Sequence, residues 1–184
     1  EYDDVMNHQR DIVYNRRNFS LHESDITNEL EQIIKEYVED TVDLYCTGSQ
    51  GDWDLINLNQ ELLNTFGLNI TFAESDGLDD IITKICKTSK ETITFKKENF
   101  DTELFNNFQK FIILRTIDEK WQDHLYAMDQ LREGIGLRAY GQKNPLIEYK
   151  HEGFAMFETM MAETNKETLK RIFRTDLSNV GQKN

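Results

Sequence analysis

The chain has 184 residues, 34 acidic and 21 basic, for a formal net charge of −13; 38% of its residues are hydrophobic and 30% charged. That is one large domain or two small ones, with the composition of a soluble helix-rich protein and too much negative charge for a chain-wide grip on nucleic acid or an anionic bilayer. Cys46 and Cys86 lie far apart without CxxC spacing, which excludes a disulfide framework or a cysteine zinc site and suits a reducing compartment; no apolar run approaches roughly 18 residues, and no signal peptide is visible.

The first element is helical from the start. In EYDDVMNHQRDIVYNRRNF, Tyr2, Val5, Met6, Gln9, Ile12, Val13, Arg16 and Phe19 mark one face. No capping residue precedes it, so we read residues 1–21 as a segment cut from inside a longer helix. His22-Glu23-Ser24-Asp25 breaks the pattern, and Ser24 or Asp25 can cap the next helix. That helix carries Ile26, Leu30, Ile33, Ile34, Tyr37, Val38, Val42 and Tyr45 and stops in a Gly48–Gly51 loop. Residues 23–54 hold ten acidic side chains against Lys35 alone, a strongly acidic front.

Asn57 is the expected cap of a short third helix with Leu58, Leu62, Leu63 and Phe66, and Gly67 stands where a C′ glycine belongs. Leu68–Phe72 reads as extended or irregular. Ser75 or Asp76 opens a fourth helix with Leu78, Ile81, Ile82, Ile85 and Cys86; Ile93-Thr94-Phe95 is ambiguous between helix and strand. Asp101 then caps a fifth helix, with Phe100 and Phe105 as a hydrophobic staple. Its period runs through Phe105, Phe108, Ile112, Leu114, Ile117, Trp121, Leu125, Met128 and Leu131 to about Ile135, roughly 50 Å. Such a helix needs a partner along its length. The segment with Phe154, Phe157, Met160, Met161, Leu169, Ile172 and Phe173 supplies it, giving a long antiparallel hairpin and a polar tail over 176–184. The fold class is all-α.

The connection at the hairpin tip, LREGIGLRAYGQKNPLIEYK over 131–150, is unlike an ordinary short polar turn. It holds Gly134, Gly136, Gly141 and the only proline, Pro145, with Ile135, Leu137, Tyr140, Leu146 and Ile147 set among Arg138, Lys143 and Lys150. A loop that exposes apolar side chains beside cations usually touches something. We place the tip loop at about 134–150 and expect its glycines to make it flexible. Tyr140 offers a rigid ring with a polar end for contact with an extended chain; folding back over the helix ends is its structural alternative.

Independent catalysis has little support. The chain lacks a phosphate loop, a nucleophile elbow and HExxH. Asp3-Asp4 and Asp79-Asp80 are neighbours that point about 100° apart on a helix, hence solvated surface. His8, His22, His124 and His151 have no ligand-spaced partner; His124 reads as a packed structural histidine. Trp121 is either a core anchor between helices or a contact to a separate domain. Met128, Met156, Met160 and Met161 are core residues or an adaptable apolar surface.

Two blocks resemble the SecA family of preprotein translocase ATPases: EYDDVMNHQRDIVYNRR, and LRTIDEKWQDHLYAMDQLREGIGLRAYGQKNPLIEYKHEGFAMFETMM, where Trp121, His124, Leu125, Met128 and Asp129 fit W-x-x-H-L-x-x-M-D. The resemblance implies the end of a long scaffold helix over 1–21, a helical wing over 22–99 and a two-helix finger over 100–175. It further implies that Tyr140, Arg138, Lys143, Leu137 and Ile135 contact preprotein and the SecY channel, and that Trp121 and His124 take part in interdomain restraint of the ATPase. ATP and magnesium would belong to motor domains, and zinc to a C-terminal tail, that nothing here matches. Partners would be SecY, preproteins with their signal peptides, the parent's own motor domains and, indirectly, anionic lipid, at the cytoplasmic face of a bacterial inner membrane; nucleic acid is not expected. The family tip RGYAQ reads RAYGQ here, which moves the glycine from before Tyr140 to after it. The alternative function is a non-catalytic scaffold or oligomerisation module, for which a homodimer is expected.

Overall fold

The computed structural model describes residues 1–138 and 144–177, with the backbone but not the side chain of Arg138. These residues form six α-helices: α1 (Tyr2–His22), α2 (Thr27–Tyr45), α3 (Leu55–Phe66), α4 (Leu78–Asn99), α5 (Thr102–Arg138) and α6 (Pro145–Arg174). A short 3-10 turn covers Gln50–Asp52, and no strand occurs among the described residues. The all-α reading holds. The ambiguous Ile93-Thr94-Phe95 lies inside α4, where Thr94 Oγ1 donates back to the Lys90 carbonyl at 3.0 Å.

The chain packs as two compact units. One contains Glu1–Glu23 and Ile113–Thr164; the other contains Ser24–Ile112 and the chain from Asn165 onward. Both long helices therefore contribute to both units, which cut across the sequential scaffold, wing and finger segments.

In the second unit α2 packs on α3 and α4. Its stripe of Leu30, Ile33, Ile34, Val38 and Val42 is buried, as are Leu58 and Leu62 of α3 and Ile81 and Ile85 of α4. Aromatic edges knit this core: Tyr37 to Phe66 at 5.5 Å and Phe66 to Phe173 at 4.7 Å between ring centroids. The irregular stretch after α3 is held by one side chain, Asn59, whose amide donates to the Ile70 carbonyl at 2.9 Å and accepts from the Ile70 N–H at 3.1 Å. That pairing supplies the backbone partners a strand would otherwise need.

Several helix starts differ from expectation by a turn or less. Asp54, not Asn57, caps α3: its carboxylate accepts from the Asn57 backbone N–H at 3.1 Å and from the Asn57 side chain at 2.6 Å. These bonds hold the Asp54 carboxyl below its ordinary pKa. α4 begins after Gly77 because Asp76 is engaged elsewhere, accepting from the Ala73 N–H at 2.7 Å and from Lys84. Asp101 does cap α5, accepting from the Leu104 N–H at 2.9 Å, and Phe100 stacks on Phe105 at 6.5 Å.

The largest difference concerns the tip. α5 continues through Gly134 and Gly136 to Arg138, and α6 opens at Pro145, so the connecting segment is much shorter than the 134–150 expected. A helical glycine costs about 1 kcal/mol relative to alanine. Here the cost is offset because Leu131 and Ile135, on the same turns, are buried against Tyr149. Pro145 fills the first helical position, where its missing N–H costs nothing, and Asn144 accepts from the Leu146 N–H at 3.0 Å.

Gly67 ends α3 in the left-handed region at φ 72°, while Gly51 has no such φ and open space at its missing Cβ. Gly67→Ala is expected to destabilise the protein by about 1–2 kcal/mol, whereas Gly51→Ala stays within about 0.5 kcal/mol. Denaturant melts of the two variants side by side check this; equal midpoints would refute the assignment.

Candidate functional site

The unit formed by α1, the later part of α5 and the earlier part of α6 holds the residues singled out by sequence, apart from Arg138's side chain, Tyr140, Gly141 and Lys143, which lie outside the described residues. Its centre is polar. Gln9 of α1 is only 4% exposed, unusual for an amide, and its geometry explains why. Gln9 Nε2 donates to the Gly153 carbonyl of α6 at 3.1 Å, and Gln9 Oε1 lies 2.7 Å from His124 Nε2 of α5. One amide therefore meets both arms of the hairpin.

The pairing also fixes the imidazole. The Gly153 carbonyl can only accept, so the Gln9 amide nitrogen faces it and Oε1 faces His124. His124 Nε2 must then carry the proton. Burial lowers the His124 pKa, favouring the neutral ring. The Trp121 and Phe157 rings lie 5.6 and 5.7 Å from the imidazole between centroids, both tilted against it. Trp121 is itself buried, so within this unit it anchors the core.

Gly153 lies against the side chains of Met128 and Val5. A Cβ there would lie 2.8 Å from Met128 Cε and 3.9 Å from Val5 Cγ1. Toward the tip, Met128, Leu131, Ile135 and Tyr149 form a buried cluster, with Tyr2, Val5, Met6 and Met156 packed against it. Tyr2 meets Tyr149 edge-on at 4.9 Å, and the Arg132 guanidinium stands 5.2 Å over the Tyr2 ring while Nη1 donates to Asp3 Oδ1 at 3.0 Å. At the other end Arg17 grips Asp118 with two bonds, at 2.7 and 3.1 Å. Both ion pairs are solvent-accessible and each contributes about 0–1 kcal/mol.

Several expectations change on this geometry. Ile135, expected to contact preprotein or channel, is only 2% exposed and belongs to the core cluster, because α5 does not end before it. Leu137 is 82% exposed at the end of α5 and remains available for contact. Gly134 and Gly136 are helical rather than loop residues, with open space at each missing Cβ. Met128 and Met160 are buried and Met156 packs on the core, so the methionines mainly fill it. Beside His124 a groove of about 390 Å³ opens between α5 and α6, lined by Lys120, Asp123, Ala127, Ala155, Met156 and Glu163 among others.

Sequence reasoning missed Gln9 as a polar core residue, Gly153 and the Arg17–Asp118 pair. Gln9 carried a signal: it sits on the apolar face of α1. Among the described residues no three His, Cys, Asp or Glu side chains are placed to hold a metal ion, and no helix is long and apolar enough to cross a membrane.

Freeing His124 while the hairpin stays folded would orphan a buried acceptor, at a cost of about 1–3 kcal/mol. Its depressed folded pKa means that the unfolded chain takes up the proton first. Stability is therefore complete above about pH 6.5 and is lost as pH falls through the folded pKa. His124→Gln, which keeps a donor but cannot titrate, is expected to flatten that part of the acid loss. Melting curves between about pH 7.5 and pH 5 check it; parallel pH profiles for variant and parent would show that His124 is not held neutral.

The SecA wing and scaffold domain model matches residues 1–176. The chain is 39% identical over 180 residues to the protein translocase subunit SecA of Carboxydothermus hydrogenoformans, covering 95% of this chain and 21% of that protein. It is 38% identical over 184 residues to SecA of Desulforamulus reducens (97% and 21%) and 36% identical over 183 residues to SecA of Endomicrobium trichonymphae (96% and 21%). The chain thus spans about a fifth of the length of these curated relatives. With helices throughout and a match that runs from the first residue of α1 past the end of α6, the chain belongs to the SecA family, in its wing and scaffold region.

Proposed function

We propose that the chain is the wing and scaffold part of a protein translocase and that the segment joining α5 to α6 touches the protein being moved. The match over 1–176 to a domain of proteins named protein translocase subunit SecA carries this reading. The chemistry flanking the segment supports it. Leu137, on the last turn of α5, and Ile147, on the first turn of α6, are 82% and 61% exposed and put apolar area on both sides of the segment.

In this reading ATP and magnesium act in other domains of the parent, and motion generated there reaches the hairpin. Tyr140 is the contact residue for an extended preprotein: an aromatic ring grips without reading a particular sequence, and a phenol adds a polar end. Arg138 and Lys143 supply positive charge beside it toward the SecY channel, and Leu137 adds apolar area. Work takes place at the cytoplasmic face of the membrane, with anionic lipid an indirect partner. Trp121 and His124, both packed inside the unit, would affect the parent's resting ATPase by setting how firmly the hairpin is held, not by touching nucleotide.

A second reading, a scaffold that self-associates, has one observation in its favour: Ile12, Tyr14 and Phe19 of α1 are exposed. Under it the isolated chain sediments as a dimer whose population rises with concentration, and a strict monomer at every concentration would remove it.

For the main reading, Tyr140→Ala in the full-length parent is expected to lower preprotein translocation by about tenfold, the scale of losing one well-packed aromatic contact. Basal ATP hydrolysis should change by less than about twofold, within the scatter of surface substitutions. Translocation into inverted membrane vesicles alongside phosphate release measures both. Unchanged transport would refute the contact role.

A further inference from the structure

We propose that Gln9 is a positioning residue: its buried amide is the joint through which α1 fixes the register of both hairpin arms. The inference rests on the translocase reading above and names the bond by which α1 acts on the hairpin.

Three features single out this amide. It joins three helices at one point, bonding His124 of α5 at 2.7 Å and the Gly153 carbonyl of α6 at 3.1 Å. It is buried, at 4% exposure, so water cannot replace either bond when the helices shift. Its neighbours pack closely: a Cβ at Gly153 would lie 2.8 Å from Met128 Cε, and the Trp121 and Phe157 rings stand 5.6 and 5.7 Å from the imidazole.

Apolar packing alone tolerates small sliding and rotation of one helix on another, because it is not directional. A hydrogen bond tolerates little of either. With a bond from one amide to each arm, α1 cannot move along or around α5 and α6 without stranding a buried donor, a buried acceptor, or both. Toward the two ends of α1 lie the exposed pair Arg132–Asp3 and the part-buried, bidentate pair Arg17–Asp118, which ties α1 to α5 but not to α6; only Gln9 bonds both arms. The ionisable groups facing His124 across the neighbouring groove are Lys120 and Asp123 of α5 and Glu163 of α6; Lys120 and Glu163 pair with each other at 3.6 Å.

The test uses the full-length parent with preprotein and membrane vesicles, and reads the amount of preprotein moved per ATP hydrolysed. Gln9→Met keeps length and volume and removes both bonds. It is expected to lower that ratio by about three- to tenfold, the scale of losing one to two buried hydrogen bonds. Gln9→Glu keeps an acceptor for His124 but sets a buried carboxylate oxygen against the Gly153 carbonyl, and should lower the ratio at least as far as Gln9→Met. It also answers the question if Gln9→Met does not fold. His124→Leu combined with Gln9→Met should be no worse than the poorer single variant, because the only bond His124→Leu removes is one that Gln9→Met has already broken. A ratio unchanged in Gln9→Met, or in Gln9→Glu where only that variant folds, overturns the inference, as do additive losses in the double variant. Tyr140→Ala run in parallel separates the two failures: transport lost there but untouched by Gln9 variants sinks the joint alone, whereas transport untouched by Tyr140→Ala sinks the contact reading on which the joint depends.

Discussion

A buried amide has to find partners for a donor and an acceptor at once, and the unit around α1 is arranged to meet that constraint at Gln9. The acceptor end fixes the histidine tautomer, and the donor end bonds a backbone carbonyl of α6. The rings beside His124 and the Met128–Tyr149 cluster fill the space around the polar centre.

The second unit solves a different problem. Its helices are amphipathic and bury aliphatic stripes against one another, with the Tyr37 hydroxyl donating to Thr65 Oγ1 at 2.8 Å inside the core, and single polar side chains join the elements at the edges. Asn59 replaces the missing partners of the extended stretch at Ile70; Gln50 donates to the carbonyls of Glu74 and Asp76; Lys96 caps the Phe173 carbonyl at 2.7 Å. Each is polar, at a joint between elements, and invisible to a search for hydrophobic period. The acidic front over residues 23–54 falls almost entirely on this unit's solvent side, including the exposed Glu31–Lys90 pair at 2.9 Å.

Much of the candidate site was legible for a simple reason. A helix that must bury one face repeats its apolar residues at helical spacing, and Trp121, Met128, Leu131 and Ile135 keep that spacing to the end of α5. The same logic misled at the tip. Glycines at 134 and 136 look like a loop when read locally, yet Leu131 and Ile135 still have a buried face to fill, and that burial outweighs roughly 1 kcal/mol per glycine. Asn57 and Asp54 show the limit in miniature: both are good caps, and only the backbone path decided which carboxylate or amide met the free N–H groups.

The sequence by itself determined the helical class, most helix limits, the staple at Phe100, the left-handed stop at Gly67 and the family, because all of these depend on residues near each other in the chain or on long matched patterns. The tertiary structure alone decided which polar residue on an apolar face would be buried and satisfied. Gln9 finds its partners 115 and 144 residues away, and no local pattern encodes a hydrogen bond whose two ends meet only after three helices have packed.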